Sequence, residues 1–151
     1  MGSTSGLPIE GVMTELLEAL AQHGQAVLQA PPGAGKTSRV PIELLSAEWL
    51  GDQRVLMLEP RRVAARAAAS RLAGSLGSSV GELVGYRMRH DTRVTDGTRI
   101  EVFTEGVLTR LIQADPSLEG IGAVIFDEFH ERSLHADLGL AFAIEARAAL
   151  R

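Results

Sequence analysis

The sequence contains no cysteine and only one lysine, and aromatic residues make up 4% of its 151 residues. The absence of cysteine excludes disulfides, zinc–thiolate sites and thiol catalysis, and it agrees with a reducing compartment. The chain lacks any apolar run of about 18 residues and any basic-then-apolar signal pattern, so we expect a cytoplasmic protein with no membrane partner. Its net charge of −4 provides no overall basic field, so contact with nucleic acid would depend on local arginines.

The length and the 45% hydrophobic content suit one domain with a sizeable core. Residues 1–6 are small and polar, and we expect a disordered segment or cloning remnant there, with the domain over 7–151. Apolar periodicity predicts strands at 26–29, 54–59 and 123–126, helices at 8–22 and 61–72, and a further helix opened by 104–106. Two alternating segments, 83–88 and 99–103, flank Asp96-Gly97 and predict an edge hairpin. Strands that alternate with helices predict an α/β fold with a mostly parallel sheet covered on both faces.

The segment Ala30–Thr37 (APPGAGKT) lies between a predicted strand and a predicted helix, and it has the composition of a phosphate-binding loop. Small residues let backbone N–H groups point at an anion, and the helix start adds its dipole. The residues that would form this cradle are Pro32, Gly33, Ala34, Gly35, Lys36 and Thr37. Lys36, the only lysine, would reach the β/γ-phosphates, and the Thr37 hydroxyl would bind Mg²⁺.

Asp127 and Glu128 follow the predicted strand 123–126 directly. Two adjacent acids at the end of a buried strand are costly unless they lie beside a cation. In a parallel sheet the carboxyl ends of the strands share one edge, so this pair and Lys36-Thr37 could share one Mg-nucleotide. Phosphoryl transfer to water would then use Lys36 for charge neutralisation, Thr37 and Asp127 for the metal, and Glu128 to orient the water.

Four segments together resemble motifs I, Ia, Ib and II of superfamily 2 helicases: APPGAGKT (30–37), EPRRVAARAA (59–68), TEGVLTRLI (104–112) and DEFHER (127–132). Asp-Glu-x-His is similar to the DEAH-box branch, and GYRMR (85–89) also fits that branch. Within it, the chain resembles the bacterial HrpB-like ATP-dependent RNA helicases. The resemblance covers about residues 7–132 and implies a RecA-like P-loop NTPase lobe that binds Mg²⁺ with ATP.

The resemblance also implies roles for residues outside the phosphate site. Arg61, Arg62, Thr104 and Gly106 would touch the sugar-phosphate backbone of single-stranded RNA or DNA, and His130 would couple nucleotide state to a second lobe. Motif III and that second lobe would follow Arg151, so we expect a first lobe that binds nucleotide with little or no turnover. Two alternatives stay open, a P-loop kinase of a small metabolite and a non-catalytic nucleotide-binding module.

The motif III strand of RecA-like sheets lies between the phosphate-loop strand and the acid-pair strand. The resemblance therefore implies that 26–29 and 123–126 lack their shared neighbour here. Unpaired strand edges expose N–H and C=O groups that another segment can pair with. We expect a modified sheet or one completed by a second molecule, and hence self-association.

Overall fold

The computed structural model describes residues 12–28, 36–104 and 106–127, and the chain divides into two compact units, residues 1–51 and 52–151. The first unit contains α1 (Met13–His23) and α2 (Lys36–Leu44), which contact each other. Gly24 ends α1, since its φ of 74° suits a residue without a Cβ and its N–H donates to the Leu20 carbonyl. None of the described helices is both long and apolar enough to cross a membrane.

The prediction of a strand at 26–29 is wrong for the three residues of it that the structure describes, 26–28. Residues 26–28 belong to no strand, Val27 is 92% exposed, and Gln29 lies outside the described residues. A strand is stable only when a neighbour pairs with its backbone groups. No described strand pairs with 26–28, so its apolar composition alone does not produce an extended element there.

The second unit is built on one sheet of five strands, in the order β3-β2-β4-β1-β5. Its elements along the chain are β1 (Arg54–Leu58), α3 (Arg62–Ser75), β2 (Val84–Met88), β3 (Asp91–Arg93), β4 (Ile100–Phe103), α4 (Val107–Ala114) and β5 (Ile121–Phe126). Strands β2, β4, β1 and β5 run parallel, and only β3 runs antiparallel to its neighbour. The predicted α/β class with a mostly parallel sheet is therefore confirmed.

The edge hairpin exists, but its second strand is not the predicted one. Strand β2 pairs antiparallel with β3 and parallel with β4, so 83–88 and 99–103 run in the same direction. The chain reverses first at Arg89-His90, where His90 has φ of 65°, and again in the loop around Asp96-Gly97. Thr98 anchors this second loop, because its hydroxyl donates to the Glu82 carbonyl at 2.7 Å. Two reversals restore the original direction, which the sequence pattern of alternation does not reveal.

Helices cover both faces of the sheet. One face carries a cluster that unites α4 with β1, β4 and the start of β5, made of Leu56, Leu58, Phe103, Val107, Leu108, Ile112, Leu118 and Ile121. The strand residues that alternate with it, Val55, Met57, Ile100 and Val102, are also fully buried. Helix α3 contacts β2 and β4, and its buried side is mostly alanine (Ala65, Ala68, Ala69 and Ala73). Small side chains allow the helix to approach the sheet closely.

Candidate nucleotide and nucleic-acid sites

The start of α2 is the described part of the predicted phosphate site. The helix begins at Lys36, directly after the predicted loop, and Thr37 is half-buried in its first turn. The loop residues Pro32, Gly33, Ala34 and Gly35 and the Lys36 side chain lie outside what the structure describes. A helix therefore begins directly after the predicted loop, as the sequence pattern predicts, and a helix start is the end that favours an anion.

Three polar residues lie side by side where adjacent parallel strands end. Glu59 follows β1, Thr104 follows β4 and Asp127 follows β5, and all three are buried. Backbone hydrogen bonds align the ends of these strands. The Glu59 N–H donates to the Phe103 carbonyl (2.9 Å), and the Asp127 N–H donates to the Leu58 carbonyl (3.2 Å). Ligand-binding residues of α/β sheets collect at this carboxyl edge. We call Glu59, Thr104 and Asp127 the carboxyl-edge group; Glu128 and His130 lie outside the described residues.

The other predicted nucleic-acid residues flank this edge at helix starts. Arg61 is the N-terminal cap of α3, Arg62 is its first residue, and Gly106 caps α4 with φ of 85°. Both arginines are exposed. The Arg62 guanidinium is already in use, because its Nη1 donates to the Arg89 carbonyl at 3.0 Å. A direct phosphate contact by Arg62 would therefore share this group with a structural bond.

An open groove with a volume of about 390 Å³ lies between the β2–β3 turn and α4. Its lining is basic and apolar: Arg87, Met88, Arg89, His90, Thr92, Val107, Arg110 and Leu111. None of the described acidic residues lines it, so three arginines and a histidine give this surface a basic character, although Arg87 also pairs with the buried Glu101. We call this feature the basic groove, and its charge suits an anionic ligand.

Arg87 is held in the groove wall by a buried carboxylate. Glu101 is only 2% exposed, and its Oε2 accepts from Arg87 Nε at 2.9 Å while its Oε1 accepts from Arg54 Nη1 at 2.5 Å. A buried carboxylate must be paired, and two arginines here satisfy both of its oxygens. The Nε bond fixes the orientation of the Arg87 fork in the groove wall.

A second ion cluster joins α3 to the β2–β3 hairpin. Arg66 Nη2 and Nε donate to the same oxygen of Asp91, Oδ2, at 2.7 and 3.2 Å, and the Tyr86 hydroxyl lies 3.3 Å from both Asp91 oxygens. The hydrogen bonding that Arg66 donates to Asp91 lowers the pKa of Asp91 and raises the pKa of Arg66. We call Arg66, Asp91 and Tyr86 the hairpin clasp.

Comparison with known proteins identifies the family of this chain. A family profile described as DEAD/DEAH box helicase matches residues 12–139. The chain belongs to the DEAD/DEAH box helicase family. It is 52% identical over 147 residues to the ATP-dependent RNA helicase HrpB of Escherichia coli (strain K12), covering 97% of this chain and 18% of that protein. It is 35% identical over 136 residues to an ATP-dependent RNA helicase HrpA homolog of Haemophilus influenzae, covering 90% of this chain and 10% of that protein.

A solved structure agrees with this assignment. The crystal structure of the Escherichia coli DEAH/RHA helicase HrpB matches with a TM-score of 0.91 and 51% identity over 95% of this chain. The match covers 18% of the HrpB chain, so this sequence corresponds to a small part of the helicase. The resemblance to DEAH-box helicases of the HrpB type is confirmed.

The sequence patterns predicted neither the residues of the basic groove nor Glu59 of the carboxyl-edge group. Arg87 and Arg89 stand two apart on and after β2, a spacing that puts both on one face of a strand, and this signal was available. Glu59 follows the apolar strand β1 just as Asp127 follows the apolar strand β5, so the sequence indicates both positions equally. Arg110 and the turn at His90 meet only through the tertiary fold.

Proposed function

We propose that this chain is the first, nucleotide-binding lobe of a DEAH-type ATP-dependent RNA helicase, which couples hydrolysis of Mg-ATP to movement on single-stranded nucleic acid. The supporting observation is the carboxyl-edge group, in which Glu59, Thr104 and Asp127 meet at the ends of three adjacent parallel strands. The relatives, named as ATP-dependent RNA helicases, favour the same function. The cytoplasmic location expected from the cysteine-free sequence is part of the proposal.

The chemistry of the donors fits Mg-ATP. Thr37 offers a hydroxyl in the first turn of α2, and Asp127 offers a buried carboxylate directly after β5. Mg²⁺ prefers such hard oxygen ligands together with phosphate oxygens. In the proposal these two residues hold the metal ion, which neutralises phosphate charge when bound. Lys36 and the backbone N–H groups of residues 33–35 bind the phosphates, and Pro32, which has no N–H, completes the loop. Glu128 orients the attacking water, and His130 couples the site to a second lobe.

The nucleic-acid surface of the proposal comprises Arg61, Arg62, Thr104 and Gly106 together with the basic groove. The basic lining of the groove, in a chain of net charge −4, supports an anionic backbone as ligand. Contacts of this kind position a strand without reading its sequence. We therefore propose sequence-independent binding, of RNA in preference to DNA because the relatives are named RNA helicases.

Two variants test the nucleotide site. Lys36→Ala should abolish Mg-ATP binding with little effect on folding, because the lysine head belongs in the phosphate site, and titration calorimetry measures this. Arg71→Ala, which removes an exposed cation on α3, is the control and should bind normally. Unchanged affinity of Lys36→Ala would refute the phosphate site.

Turnover by the protein at its full natural length tests the reaction. Glu128→Gln should keep nucleotide binding and lose hydrolysis, since it retains the shape and loses the group that polarises water. RNA-stimulated hydrolysis supports the helicase; dependence on a small metabolite would indicate a kinase, and no hydrolysis a binding module. The 151-residue chain alone should bind nucleotide with little or no turnover.

A further inference from the structure

The turn between β2 and β3 brings cationic residues to the basic groove, and its conformation is unusual. Arg89 and His90 form this turn, and His90 adopts φ of 65°, a region that disfavours residues with a Cβ. Such a conformation persists only where surrounding contacts impose it. Contacts from residues outside the turn must therefore stabilise this conformation.

Helix α3 supplies two of the holding contacts, from residues one helical turn apart. Arg62 donates a hydrogen bond to the Arg89 carbonyl on one side of His90, and Arg66 donates to the Asp91 carboxylate on the other side. Residues at i and i+4 lie on one face of a helix, so both guanidinium groups reach the hairpin from the same surface. Tyr86, which is buried, contacts Asp91 from within the hairpin itself.

The return loop restrains the hairpin at a further point. A Cβ on Gly85 would overlap the Arg93 carbonyl oxygen and would lie 2.9 Å from Cγ1 of Val94. The backbone of β3 therefore passes directly over β2 at this glycine, and the hairpin has little room to shift there.

We propose that the hairpin clasp positions the β2–β3 turn for nucleic-acid binding, so that Arg66 and Asp91 set the place of Arg89 and His90 in the basic groove without contacting the ligand. This inference rests on the proposed function of the groove. It assigns a favourable role to Asp91, an acid close to a surface that binds an anion.

The direction in which Asp91→Asn changes the affinity for nucleic acid distinguishes this positioning role from simple charge attraction. Asp91→Asn removes a negative charge near the groove, so Coulomb attraction alone predicts tighter binding of nucleic acid. The positioning role predicts weaker binding, because the turn loses the ion pair between Asp91 and Arg66 of α3. For single strands each lost phosphate contact lowers the salt slope by about 0.7, which corresponds to about fivefold weaker binding near 0.1 M salt.

The experiment measures binding of fluorescently labelled oligouridylate by anisotropy over a series of salt concentrations, with the protein at its full natural length. Asp91→Asn and Arg66→Gln should each bind about fivefold more weakly near 0.1 M salt, with a slope shallower by about 0.7. Arg66→Lys should restore binding, because both Arg66 contacts end on a single Asp91 oxygen that one ammonium group can reach. Asp96→Asn and Arg71→Gln carry the same charge changes at exposed positions outside the clasp and serve as controls.

Binding by Asp91→Asn that equals or exceeds that of Asp96→Asn would overturn the positioning role. Arg89→Gln and Arg110→Gln test the groove separately, since both should weaken binding if nucleic acid lies there. Full affinity in both would refute the groove as the nucleic-acid surface, whereas weakened binding in them combined with tight binding by Asp91→Asn would refute the clasp alone. Melting curves that show every variant to be folded at the assay temperature exclude unfolding as the cause.

Discussion

Replacement of Glu101 by Gln should destabilise the folded chain far more than any ordinary change of charge. The Glu101 carboxylate is 2% exposed and accepts from both Arg54 and Arg87. Gln keeps the size of the side chain, and its carbonyl oxygen can still accept from one guanidinium. Its amide nitrogen is a donor, so the other arginine would face a donor and lose its acceptor.

The expected loss follows from these contacts. A hydrogen bond to a charged group contributes about 1.5–3 kcal/mol, and breaking a buried ion pair costs about 3–5 kcal/mol. The side chains of Arg54 and Arg87 are 33% and 34% exposed, so water can replace part of what they lose. We therefore expect the lower end, about 3 kcal/mol. At about 2–4 °C for each kcal/mol in a chain of this size, the melting temperature should fall by about 6–12 °C.

Urea unfolding and thermal melts of the purified chain measure this loss. Glu48→Gln makes the same change of charge at an exposed position and should stay within about 0.5 kcal/mol of the parent. Equal midpoints for Glu101→Gln and Glu48→Gln would show that the buried carboxylate is dispensable, and would refute the reasoning about its two arginines.

Three further predictions concern glycine, pH and assembly. Gly85→Ala should destabilise the folded chain by about 1–3 kcal/mol or more, because the added Cβ would overlap backbone atoms. Gly74→Ala in α3, with open space around it, should stabilise the chain by up to about 1 kcal/mol. Urea midpoints that shift in the same direction for both variants would contradict this. Asp91 has a pKa below its usual 3.8, so its contribution to stability is full above that value and is lost as the pH falls through the lower folded-state pKa. The melting-temperature difference between the parent and Asp91→Asn should therefore be constant at neutral pH and shrink below about pH 3.8. Sedimentation velocity tests the predicted self-association, and a strictly monomeric chain at high concentration would contradict it.

Local sequence determined the elements that depend on near neighbours. The apolar runs at β1 and β5 and the alanine-rich α3 are where the pattern predicts them. The place of Asp127 at the carboxyl edge also follows from sequence, because a residue directly after a parallel strand lies at that edge. Periodicity and end signals act within a few residues, so the sequence displays them directly.

Tertiary structure decided which segments pair and which charges meet. Strands β2 and β4 alternate in the same way whether they pair parallel or antiparallel, so only the double reversal at His90 and Thr98 settles their direction. The apolar segment 26–28 forms no strand, whatever its composition, since none of the described strands pairs with it. Glu101 lies 47 residues from Arg54 and 14 from Arg87, and the sheet register alone brings these three together. Pairing between distant residues leaves no local pattern, because its free energy appears only once the fold has closed the intervening chain.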